Sequence, residues 1–202
     1  MDTSTRRGRR GPTLQTAVTT AITAAAFDEL AEAGWPGLSM DAVARRAGVG
    51  KAALYRRWPS KETMLTELIG DVVARNLPDV PDSGELRRDM RAFLELTAQQ
   101  ISDPRVTRIG LDLLAESTRN PSLAEQLRGA VAGPRRETAA TILRRGVDRG
   151  ELPQEIDVTL ATDLMISPLL LRMILTDAPV DDEILDRMAA MIIAGAAATA
   201  SL

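Results

Sequence analysis

The 202-residue sequence predicts an all-α protein, a small N-terminal head of short helices on a larger C-terminal helical body. Three observations carry that expectation. The chain is 45% hydrophobic yet holds only two Phe, two Trp and one Tyr, so its core is built from Leu, Ile, Val, Ala and Met, which suits closely packed helices better than a sheet. Apolar residues recur at helical spacing along most of the length. The stretch from Leu38 to Trp58 is short, basic and punctuated by glycine, as two brief helices joined by a tight turn would be.

Taken in order, residues 1–12 place Arg6, Arg7, Arg9 and Arg10 around Gly8, too polar to fold alone, and read as a disordered basic arm. From about Thr13 to Ala33, Val18, Ile22, Ala26, Phe27 and Leu30 share one helical face, and Gly34 ends that helix. Trp35-Pro36-Gly37-Leu38 is a turn whose Trp and Leu plug the head. Ser39 caps a second helix, Met40, Val43, Ala44 and Ala47 supply its apolar face, and Gly48 ends it in the left-handed conformation. A third helix starts near Gly50 and carries Lys51, Tyr55, Arg56 and Arg57 outward, with Ala52, Ala53 and Leu54 as small or apolar surface. Arg45 and Arg46 are expected to face solvent or phosphate.

Ser60 caps a fourth helix, in which Leu65, Leu68, Ile69, Val72 and Val73 form a buried face. This helix links a head of residues 13–62 to a body of residues 63–202. Pro78 to Gly84 is a loop, and the body continues with helical stripes near Glu85–Ile101 and Pro104–Thr118. The segment Pro121 to Arg149 is interrupted at Gly133-Pro134, where proline removes a backbone hydrogen bond, so a kink or two abutting helices are expected. Asp157 to Thr176 is apolar nearly all round, but Asp163, Pro168 and Arg172 break it below the ~20 residues a membrane span needs. A helix buried on two sides, against its own core and against a second subunit, explains it better. Asp181 to Leu202 repeats that character and ends in small residues that let helices approach closely. Arg172, set among leucines and isoleucine, demands a partner: Asp112 or Glu116, within the subunit or across a dimer seam, or an anionic ligand.

The absence of cysteine and histidine removes disulfides, thiolate nucleophiles, His-based triads and nearly every zinc site, and the sequence calls for no cofactor and no metal. The adjacent acids Asp181-Asp182-Glu183, the one suggestion of a magnesium-dependent helical enzyme, are read as a dipole-favoured helix start. An Arg-rich, polar N-terminus without an apolar core is no secretory signal, so a cytoplasmic protein is expected. Net charge is −3, but it is uneven: residues 1–62 hold ten Lys/Arg against six Asp/Glu, and the remainder fifteen against twenty-two. A nucleic acid would be met head first.

Gly-Val-Gly-Lys-Ala-Ala-Leu-Tyr-Arg-Arg-Trp-Pro-Ser-Lys-Glu, with the upstream Ala33-Gly34-Trp35 and Leu38-Ser39-Met40, closely resembles the DNA-binding signature of the TetR family of transcriptional regulators over Ile22 to Leu68. The resemblance implies a helix-turn-helix unit whose second helix enters a major groove. Lys51, Ala52 and Ala53 would lie at its groove-facing start, with Arg56 donating to a base edge or phosphate. Tyr55 would reach a phosphate through its hydroxyl and Lys61 would clamp another. Ser39, Met40 and the arm arginines Arg6, Arg7, Arg9 and Arg10 complete the expected contact set. Gly50 departs from the family pattern, which usually has a Ser or Thr cap there, and puts one side-chain contact to phosphate in doubt.

The resemblance further implies a homodimer through the last two helices, a pseudo-palindromic double-stranded operator, and a small-molecule effector held in the body. Met90, Phe93, Thr97, Leu113, Met165 and Leu169 are the candidate pocket residues. The resulting expectation is a ligand-responsive repressor, not an enzyme. The alternatives are an activator, or a dimeric interaction protein without ligand response.

Overall fold

A computed structural model describes residues 12–76, 80, 82–176 and 178–201, and every regular element among them is helical. It divides into two compact units, residues 1–68 and 69–202. The division falls inside the fourth helix: Met64, Leu65 and Leu68 are wholly buried and Glu67 bonds to Trp58, all within the first unit.

In the head, α1 (Pro12–Gly37) is broken at Gly34, whose φ of 66° is the left-handed value that favours glycine. The chain turns there and seats Trp35 and Leu38 in the core, as their apolar bulk requires. α2 (Met40–Arg46) and α3 (Lys51–Arg57) follow, and α4 (Lys61–Asn76) starts on Ser60, whose Oγ accepts from the Thr63 N–H at 3.2 Å. Ile22, Ala26 and Leu30 of α1, Val43 and Ala44 of α2, Leu54 of α3 and Met64, Leu65 and Leu68 of α4 are all buried. Val18 and Phe27 are only half-buried.

The body comprises α5 (Leu86–Ile101), α6 (Pro104–Ser117), α7 (Pro121–Leu127), α8 (Gly133–Asp148), α9 (Val158–Leu170) and α10 (Asp182–Ala198). α5 is its axis: Leu86, Met90, Phe93, Leu94 and Ala98 pack against Ala139, Ile142 and Leu143 of α8, Ala161, Met165 and Leu169 of α9, and Leu185, Ala189, Ile192 and Ala196 of α10. The expected interruption at Gly133-Pro134 is a π-helical turn over Arg128–Ala132, closed by the Gly133 N–H on the Arg128 carbonyl. A second π turn, Leu171–Leu175, follows Pro168 in α9 and is closed by the Thr176 N–H on the Leu171 carbonyl at 3.1 Å. α9 and α10 approach closely at Gly195, where a methyl group would stand 3.2 Å from Leu164 Cδ1. Among the described residues no helix is long and apolar enough to cross a membrane.

A polar knot around one buried carboxylate fastens the start of α5. Asp89, fully buried, accepts from the Ser83 N–H and hydroxyl at 2.8 and 2.7 Å, and Arg149 stands 3.6 Å from its second oxygen. Arg149 also holds Glu151 at 2.5 Å, and Glu151 accepts from the Leu86 N–H at 2.8 Å. Within the single chain Arg172 shows no ion pair with either expected carboxylate among the described residues. Its Nε donates to the Pro179 carbonyl at 2.8 Å, because the π turn aims it at the following loop, while Glu116 is held by Arg119.

Candidate nucleic-acid interface

The α2–α3 unit is shaped by local backbone chemistry. Ser39 is extended, at φ −129° and ψ 130°, and its side chain accepts from the Ala42 N–H. At the other end, Gly48 has φ 66°, its N–H bonds the Arg45 carbonyl, and the Val49 N–H bonds the Ala44 carbonyl at 3.0 Å. That pair of bonds is a Schellman motif, which satisfies the last carbonyls of α2 and reverses the chain into α3. A side chain at Gly48 would meet open space, so the constraint there is the backbone conformation alone.

α3 is fixed by one anchor. Leu54 is 1% exposed, whereas Lys51, Ala52, Ala53, Tyr55, Arg56 and Arg57 are all exposed. A helix buried on so narrow a face offers nearly its whole girth to a partner. Gly50 caps it without a side-chain bond, so the helix start relies on backbone groups.

The cations near it fall into two sets. Arg46 reaches back to α1, at 2.9 Å from Glu29, 2.5 Å from Glu32 and 3.8 Å from Asp28, and the hydrogen bond to Glu32 leads the effects that raise its pKa above the ordinary arginine value. Arg57 donates to Thr19 Oγ1 and Glu67, and stacks 4.1 Å from the Trp58 ring centroid. Both are committed to holding the head together. Arg45 and Arg56, by contrast, are exposed and make no ion pair among the described residues. Lys51 is exposed too, its ammonium 2.5 Å from the Asp41 carboxylate.

Ser39, Lys51, Ala52, Ala53, Tyr55 and Arg56 therefore share the exposed surface of one unit. Met40 does not: it is 6% exposed, because the first residue of α2 turns inward onto the core. Lys61 is half-buried, donates to the Trp35 carbonyl at 2.8 Å and lies 4.6 Å from the Trp35 ring centroid, so part of its bonding capacity is spent inside the head. Arg46, expected to face solvent or phosphate, is exposed and also clamps α2 to α1. Arg6, Arg7, Arg9 and Arg10 lie outside the described residues.

The candidate effector residues lie inside the body. Met90, Phe93, Thr97, Met165 and Leu169 are buried, Leu113 is buried under α6, and Thr97 Oγ1 bonds the Phe93 carbonyl at 2.8 Å. They fill the interior. An open cleft of about 930 Å³ lies elsewhere in the body, where the end of α5 and start of α6 face the loop before α10, and none of the six lines it.

Two short helices joined by a glycine turn, the second exposed on all but one residue and flanked by free arginines, form a helix-turn-helix DNA-binding unit. Residues 22–68 match the family description "Bacterial regulatory proteins, tetR family", and residues 80–192 match "Tetracyclin repressor-like, C-terminal domain". Over 162 residues the chain is 31% identical to the uncharacterized HTH-type transcriptional regulator YdeS of Bacillus subtilis, covering 80% of this chain and 81% of that one. It is 29% identical over 168 residues to the DNA-binding transcriptional repressor TetR of Mycobacteroides abscessus, covering 83% and 87%. Among solved structures, the TetR family transcription regulator SCO0332 superposes with a TM-score of 0.69 at 28% identity, over 88% of this chain and 97% of that one. The chain belongs to the TetR family of transcriptional regulators. It is a DNA-binding regulator and not an enzyme.

Proposed function

We propose that this regulator is a homodimeric repressor that two recognition helices seat on a pseudo-palindromic operator and that a small molecule releases. The observation that carries operator binding is the exposed α3 surface, with Lys51, Tyr55 and Arg56 presented around a single buried leucine. Lys51 and Arg56 donate to base edges, Ala52 and Ala53 give apolar contact, and Ser39, Tyr55 and Lys61 meet phosphates. The arm arginines Arg6, Arg7, Arg9 and Arg10 add phosphate or minor-groove contacts.

Dimerisation is supported by Leu160, Leu170 and Leu171 of the α9 segment and Met191 of α10, which are 46, 39, 54 and 73% exposed. Leucines and a methionine so placed gain from burial against a second copy, and a two-fold axis there pairs α9 and α10 with their own images. Dimerisation and effector binding thus fall to residues 63–202, and the protein works in the cytoplasm, where its DNA is. The name of the Mycobacteroides abscessus relative favours repression over activation. Release follows if the effector binds better to a body conformation in which the two heads no longer match successive major grooves.

A gel-shift with duplexes covering the DNA that flanks its own gene, against a scrambled duplex, tests the reading. Salt-sensitive retardation of one flanking duplex in preference to the scrambled one is expected. Equal retardation of both would reduce the protein to a non-specific DNA binder.

A further inference from the structure

The open cleft in the body has a one-sided chemistry. Glu95, Asp181 and Asp182 line it, and among the described residues no lysine or arginine does. Ala98, Ile101, Met173, Val180 and Leu185 supply an apolar floor. Two guanidinium groups stand close by: Arg172 is bonded to a backbone carbonyl of the wall, and Arg91 is 3.0 Å from Glu95, 2.6 Å from Asp182 and 2.8 Å from Asp186, so its single positive charge is divided among three carboxylates. Asp181 has no ion pair among the described residues, and only its Oδ1 is engaged, as the cap on the Ile184 N–H at 2.9 Å. The opposite wall is pinned in place, since Arg172 holds the Pro179 carbonyl at 2.8 Å. Excess negative charge beside an apolar surface favours one kind of occupant, a cation carrying a hydrocarbon body.

We propose that this cleft is the effector site and that it takes an amphiphilic organic amine, the ammonium against Glu95, Asp181 and Asp182 and the chain along Met173, Val180 and Leu185. The volume of about 930 Å³ lies within the range of small-molecule sites, and an anionic ligand would be repelled there. The effector role rests on the DNA-binding reading above; the binding itself does not.

Decylamine, decanol and decanoate, below their micelle concentrations, share one chain length and differ in charge, so calorimetric titration of the full-length dimer with each separates charge from greasiness. Decylammonium should bind about tenfold more tightly than decanol, and decanoate should not bind detectably. Asp181→Asn keeps the helix cap and Glu95→Gln leaves Arg91 two acids, so the double variant should fold, checked by an unchanged thermal melt, and should bind decylammonium about tenfold more weakly with decanol unchanged. Operator gel-shifts run with and without decylamine then read the effector role. Loss of the shifted band with the amine, reduced in the double variant, supports the proposal. Equal binding of all three probes, or binding unaffected by the double variant, overturns the site. Selective binding with an undisturbed operator complex overturns its effector role. A missing shift without any amine marks the failure of operator recognition itself, while the calorimetry still decides the cleft.

Discussion

Asp41 at the start of α2 and Lys51 at the start of α3 face each other, carboxylate to ammonium at 2.5 Å. The free head thus holds a cation of the recognition helix against an acid of its own.

Asp41→Asn removes that competitor and one negative charge from a surface that meets a polyanion. Operator affinity should rise about two- to fivefold per half-site, the scale of an exposed ion pair, with a larger gain at low salt. A titration at two salt concentrations checks it, and weaker binding would mean that Asp41 orients Lys51 instead of masking it.

Lys51→Ala and Lys61→Ala separate reading from positioning. Loss of Lys51 should weaken the preferred operator by ~1–3 kcal/mol per half-site and hardly touch scrambled DNA, while loss of Lys61 weakens both alike. Lys61→Ala should also lower the melting midpoint of the head, since its ammonium ties the Trp35 carbonyl. Competition binding at one fixed salt concentration decides, and sequence-blind losses for both would make Lys51 a second phosphate contact.

Arg46→Ala should destabilise the head without changing how many phosphates it neutralises, because Arg46 spends its guanidinium on Glu29 and Glu32. The melting midpoint and operator affinity should drop together, and the log–log salt slope should stay within less than ~0.9 of the parent value per half-site. A slope that falls by a full contact in each subunit would return Arg46 to the DNA surface.

Met191→Asp places a charge at the most exposed apolar side chain of α10. Light scattering should then give the 21.8 kDa chain mass in place of twice that value. A persistent dimer would move the interface away from α10.

Glu151 sets an acid limit on the body. Burial works against its charge, but the hydrogen bonds from Arg149 and the Leu86 N–H outweigh it and hold its carboxyl below the ordinary range. A depressed carboxylate stabilises the fold above the unfolded value of ~4.3 and loses that contribution as pH falls through the lower folded value. Urea melts across pH should therefore show Glu151→Gln less stable than the parent by a constant margin above about pH 5, narrowing below it. A margin independent of pH would assign the effect to lost packing.

Much of the head was legible because its signals are local. Ser39, Ser60, Gly34 and Gly48 each act within five residues, so capping and left-handed turns can be read along the chain. Arg46 was not legible in this way, for its partners lie fourteen to eighteen residues back on another helix, and nothing in the spacing distinguishes a clamp from a phosphate contact. The cleft was hidden for a related reason. Periodicity reports which face of a helix is apolar, and Met90, Phe93, Met165 and Leu169 obey it by filling the core. An open space arises where helix ends from distant parts of the chain fail to meet, and no stripe of residues announces that.

The two π turns make the chain one residue too long, at each place, for an uninterrupted α-helix. A π turn takes up that extra residue while leaving the helix on either side in phase, so deleting a single residue from Arg128–Ala132 would restore an uninterrupted α-helix and keep Ala139, Ile142 and Leu143 facing α5. An insertion into the plain α-helical stretch just after Gly133 has no such slack: an α-helix advances about 100° per residue, and charged neighbours such as Arg144 would swing toward the core. The surplus residue works like a slack link in a chain, and it makes this short segment tolerant of losing one residue where the helix after it is not.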